Sequence, residues 1–71
     1  MLIRTKVGAM EEVYEKIKGM KKVQRAAMVT GPYDIMVIIE AENIEEITKR
    51  LIQEVRDIEG VKETTTNIFI E

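Results

Sequence analysis

The chain has 71 residues, 45% hydrophobic and 34% charged, with a formal net charge of −2 and neither cysteine nor histidine. Those absences exclude disulfides, thiolate chemistry, the usual zinc ligand sets and imidazole acid–base catalysis, while the acidic balance lacks the basic face that phosphate neutralisation demands. No apolar run reaches transmembrane length and the N-terminus lacks signal-peptide order, so a cytoplasmic protein without membrane or direct nucleic-acid partners is expected.

Met1 to Val7 reads as a strand, in which Leu2, Ile3, Thr5 and Val7 suit β geometry, and Gly8 breaks it. Met10, Val13, Tyr14 and Ile17 then fall at i, i+3, i+4 and i+7, the spacing of an amphipathic helix. Glu11 and Glu12 in its first turn and Lys16 and Lys18 in its last suit the helix dipole. Gly19 is read as a left-handed terminator. Lys21, Lys22 and Arg25 make a short basic cluster, read as a solvated approach to a strand and not a phosphate track. Val23 to Thr30 is the second strand, Gly31-Pro32 turns the chain, and Ile35 to Ile39 is the third strand. Asn43 is placed to cap a second helix, with Glu46 reaching back three residues later. Ile44, Ile47, Leu51, Val55 and Ile58 form its apolar stripe, and the pairs Glu45/Lys49 and Glu46/Arg50 are spaced to support it. Gly60 ends that helix, and Val61 to Ile70 is the last strand with Thr64-Thr65-Thr66 at its centre.

The order is β-α-β-β-α-β. It predicts an α+β, ferredoxin-like domain over residues 1–71, with a four-stranded antiparallel sheet and two helices on one face. A chain this short buries only about 60% of its extended surface and has no disulfide or metal to reinforce it. Ile35-Met36-Val37-Ile38-Ile39 and Ala26-Ala27-Met28-Val29 do not alternate apolar with polar, although a sheet with one solvated face should. The helices cover one face, so a second copy docking sheet against sheet is expected, giving at least a homodimer. The other reading of those strands is a β-branched-rich core with an open greasy face. The lean toward Glu, Lys and Ile, with few amides, matches the composition of proteins from hot environments.

Thr30-Gly31-Pro32-Tyr33-Asp34 is where the chain departs from what packing alone requires. Gly and Pro make turns and Asp side chains bond nearby amides, which is one reading. The other is a small site: turn amides take an anion and the Asp34 carboxylate takes an ammonium group, a combination that suits a zwitterion such as an amino acid. Thr64, Thr65 and Thr66 are either a β-favouring run or hydroxyls lining a pocket, with Thr64 and Thr66 on one face and Thr65 on the other. Tyr14 sits on the helix stripe and reads as core, and the scattered methionines read as gap fillers. No cofactor is implied and the chain is not expected to be an enzyme.

Val29-Thr30-Gly31-Pro32-Tyr33-Asp34, the apolar strand after it, Gly8 and Gly19 around the first helix, and Gly60-Val61 before a Thr-containing strand together resemble the effector-binding (RAM) domain of the Lrp/AsnC family over nearly the whole chain. The resemblance implies the same element order, pairing through sheets, assembly of dimers into larger rings, and an amino acid or close relative bound between subunits. Carried onto this chain, it implies that Thr30, Gly31, Tyr33 and Asp34 form one side of the ligand site. Thr64, Thr65 and Thr66 of a neighbouring copy form the other. Family transcription factors carry a helix-turn-helix ahead of this domain, whereas here Met1 opens the first strand. That departure predicts a stand-alone effector domain, regulating by co-assembly with full-length relatives or sensing an amino acid for another partner.

Rival ferredoxin-like families need other residues. A metal chaperone needs a Cys pair, an RNA-recognition module needs sheet aromatics beyond Phe69, and an acyl-phosphate hydrolase needs an Arg loop where Val7-Gly8-Ala9 stands. An ACT-like regulatory domain, a purely structural oligomerisation domain, and a small enzyme using Tyr33 and Asp34 remain as alternative readings.

Overall fold

A computed structural model describes residues 1–40, 43, 45 and 47–67, with Ile47 and Thr48 described by backbone alone. Strand β1 (Leu2–Thr5) is followed by helix α1 (Met10–Lys18), then β2 (Val23–Met28) and β3 (Ile35–Ile39). A π-helical turn over Ile47–Leu51 then leads into helix α2 (Ile52–Arg56), and β4 (Val61–Thr65) follows. The strands form one sheet in the order β2-β3-β1-β4, every pair antiparallel. This is the ferredoxin-like arrangement expected from the element order, and β1 and β3 are its central strands.

Strand alternation sends Ile3 of β1 and Ile35 and Val37 of β3 to one side. There they join Val13 and Ile17 of α1 and Val55 of α2 in a core whose members are essentially inaccessible to solvent. Leu51 is buried with them. Tyr14, Met10, Val23, Ala26, Ile39, Ile58 and Val61 pack around that centre. The pairings Leu2↔Met36, Ala27↔Met36, Arg25↔Ile38, Leu2↔Thr65 and Arg4↔Glu63 define the other face. Its middle is apolar, and Leu2, Ala27, Met36 and Ile38 are half-buried there in the single chain.

Several boundaries differ from the sequence expectation. β1 stops at Thr5, short of Val7, because the Lys6 amide donates to the Gly60 carbonyl (2.8 Å) and the chain turns into Gly8. Val7 is fully exposed. β2 stops at Met28, since the Val29 amide closes the following turn onto the Asp34 carbonyl (2.8 Å). Gly19 is not left-handed. Its φ is −83°, and its amide donates to the Ile17 carbonyl. Ile44, Glu46 and the side chain of Ile47 lie outside the described residues, and with them the capping box and the Glu46/Arg50 pair. The last strand ends at Thr65 with Thr66 and Asn67 outside it, and residues 68–70 of the expected Val61–Ile70 span lie outside the described residues as well.

Candidate functional site

The turn between β2 and β3 is held at four points, each by a residue distant in sequence. Gly31 adopts φ +118° in open space, where an added Cβ would meet nothing within 4 Å, so glycine is required by the backbone and not by crowding. Thr30, Gly31 and Pro32 are exposed, while Tyr33 and Asp34 are half-buried. The Asp34 amide donates to the Ile3 carbonyl at 2.9 Å, which anchors the turn to the central strand.

The second point is the Asp34 side chain. Its Oδ2 accepts the Thr5 amide at 2.8 Å and the Thr5 hydroxyl at 3.2 Å. The β1–β3 register runs through Leu2↔Met36 and Ile3↔Ile35, so Thr5 lies beyond the paired residues of β3. A carboxylate thus stands where a strand carbonyl would continue the ladder. Thr5 is the one buried polar residue among those described, at 9% exposure. Its amide would otherwise lack a strand partner.

Tyr33 supplies the third point. Its hydroxyl and that of Thr65 are hydrogen-bonded at 2.9 Å, so the turn meets the end of β4 within one chain. Arg4, on the same face, makes the fourth, donating from Nε to the Pro32 carbonyl at 2.9 Å. Its guanidinium carbon lies 5.6 Å from the Tyr33 ring centroid, within cation–π range. Nη1 of Arg4 is 3.6 Å from Glu63 Oε2.

Of the residues expected from sequence, Thr30, Gly31, Tyr33 and Asp34 share this turn, and Thr65 reaches it through the Tyr33 hydroxyl. Thr64 pairs with Ile3 and so lies on the helix-covered side, while Thr66 follows the described end of β4. Arg4, Thr5 and Glu63 were not singled out from the sequence. The signal for the first two was present, because an antiparallel β1–β3 pair sets the end of β1 beside the residues that precede β3. Among the described residues, no group of three or more carboxylates could hold a metal ion. Nor is any helix among them long and apolar enough to cross a membrane.

A family profile for the Lrp/AsnC ligand binding domain matches residues 1–71. The chain belongs to this family. It is 39% identical over 59 residues to the HTH-type transcriptional regulator LysM of Saccharolobus solfataricus, an alignment covering 83% of the chain and 41% of that protein. It is 34% identical to the HTH-type transcriptional regulator FL11 of Pyrococcus furiosus over 71 residues, all of this chain and 46% of FL11. This Lrp/AsnC domain therefore spans less than half the length of the curated regulators it matches. Among solved structures it is similar to FFRP-DM1, with a TM-score of 0.90 and 30% identity over 97% of this chain and 92% of the other. It is also similar to the hypothetical protein PHS023 of Pyrococcus horikoshii, with a TM-score of 0.87 and 30% identity over 99% of this chain and 84% of the other. Membership places the chain among the regulatory domains of transcriptional regulators.

Proposed function

We propose that this domain is an amino-acid-sensing regulatory module that works through assembly of copies. The observation that carries the reading is the turn itself. In a chain matched throughout by a ligand-binding family, the polar atoms of Tyr33, Asp34 and Thr65 and the charge of Arg4 gather at one end of the sheet. In this reading Thr30, Gly31, Tyr33 and Asp34 form one wall of a site for a small zwitterion, and Thr64, Thr65 and Thr66 of a neighbouring copy form the other. The half-buried row Leu2, Ala27, Met36 and Ile38 supports pairing through the open face, since apolar faces of this kind mark interaction surfaces. Co-assembly with full-length Lrp/AsnC relatives, or service to another partner, would turn occupancy into transcriptional or metabolic regulation.

A specific observation also supports a second reading, a purely structural oligomerisation domain. The Asp34 carboxylate already serves Thr5 within the chain, a role that needs no ligand. Titration calorimetry against the standard amino acids, with the mass in solution recorded alongside, separates the two. Saturable binding of one or a few amino acids supports the sensor. An intact multimer that binds none refutes it and leaves the assembly role.

A further inference from the structure

We propose that Arg4 recognises the carboxylate of the bound amino acid, an assignment that rests on the sensor reading above. Arg4 is a cation that touches the turn. Nε donates to the Pro32 carbonyl at 2.9 Å, the guanidinium lies over Tyr33 at 5.6 Å, and Glu63 stands 3.6 Å from Nη1. These contacts fix a long side chain in advance, so less conformational freedom is lost when a ligand arrives. The side chain is nonetheless 39% exposed. An arginine offers five N–H donors in a planar fork that matches a carboxylate, and the Nε contact occupies one of them.

The Glu63 contact points the same way. At 3.6 Å it is an ion pair beyond ordinary hydrogen-bond length, and the Glu63 side chain is 52% exposed. Pairs so exposed contribute little, so a carboxylate arriving at hydrogen-bond distance can outcompete it. Arg4 also lies on the open face of the sheet, across from Glu63. A second copy docked on that face would strip water from the guanidinium and raise its demand for a close anionic partner. With Asp34 on the same turn available to an ammonium group, the two residues supply the opposite charges that an amino acid presents.

The test is calorimetric titration of the parent domain, Arg4→Gln and Arg4→Lys with the standard amino acids, then with the amide of whichever amino acid binds, with folding checked by circular dichroism. Arg4→Gln should weaken binding by about 10- to 100-fold, the usual range for losing a charge-assisted hydrogen bond. It should also lose the parent's preference for the acid over the amide. Arg4→Lys should fall between, because it keeps the charge and loses the fork, and it carries the test if Arg4→Gln does not fold. Parental affinity in both variants would overturn the role of Arg4 and leave the sensor reading standing. A parent domain that binds no amino acid would overturn both.

Discussion

Replacing Gly60 by alanine should destabilise the domain far more than the same change at Gly31, and the two together separate backbone strain from crowding. Both glycines have φ in the left-handed half of the map, +101° at Gly60 and +118° at Gly31. Holding a side-chain-bearing residue in such a conformation costs about 1–3 kcal/mol. At Gly31 nothing else is added. At Gly60 a Cβ would lie 2.9 Å from the Ala9 Cβ and 3.0 Å from the Val13 Cγ2, and Val13 belongs to the core. The backbone there cannot drift freely, because the Gly60 carbonyl accepts the Lys6 amide at 2.8 Å. Overpacking of this kind adds about 1–3 kcal/mol. The Gly60→Ala total is therefore about 2–6 kcal/mol, against roughly 0.05–0.15 kcal/mol of stability per residue in an ordinary domain. The assay is urea denaturation followed by far-ultraviolet circular dichroism, at one protomer concentration for all variants because assembly contributes to apparent stability. Expected is a Gly60→Ala loss exceeding that of Gly31→Ala by at least about 1 kcal/mol, or a melting difference of roughly 4–8 °C. Equal losses would refute the close approach of α1 to the start of β4.

Asp34→Ala should cost about 1–3 kcal/mol in the same assay, because the buried Thr5 amide loses its acceptor. Asp34→Asn keeps an acceptor oxygen and removes the charge, so it should stay within about 1 kcal/mol of the parent while losing amino-acid binding in calorimetry. Full stability in Asp34→Ala would refute the ladder-capping role, and unchanged affinity in Asp34→Asn would refute the ammonium role. Ile38→Asp, on the open face, should leave a folded chain whose mass by light scattering is that of a monomer, and an unchanged multimer would refute docking through that face. Val37→Asp, at 1% exposure, should instead unfold the chain, as circular dichroism would show.

The parts of the fold legible in the sequence are those fixed by short-range pattern. The extents of α1 and β3 follow from apolar spacing, and the turn between β2 and β3 follows from Gly31-Pro32. Strand ends were overrun where composition suits a strand but the amides are spent elsewhere. Lys6 bonds to Gly60, which no window around the residue shows, and Val29 bonds to Asp34 across the turn. Gly19 misled for a related reason, since a glycine after a helix permits the left-handed conformation without requiring it. In the candidate site, Tyr33 and Asp34 stand out because a turn needs no phenol or carboxylate. Arg4 and Glu63 look like any charged strand residues until the β1–β4 register sets them side by side.

The ties that hold the turn have a kinetic consequence. Arg4 to Pro32 spans 28 residues, Thr5 to Asp34 spans 29, and Tyr33 to Thr65 spans 32. The Val29 amide closes the turn locally on the Asp34 carbonyl, but each of these three ties closes a long loop whose entropy must be lost before the contact forms. The turn therefore takes its final shape only once β1, β3 and β4 have all docked, late in folding. A molecule that bound there would recognise the finished domain and no fragment of it, so its effect on unfolding would appear as one cooperative shift of the whole transition.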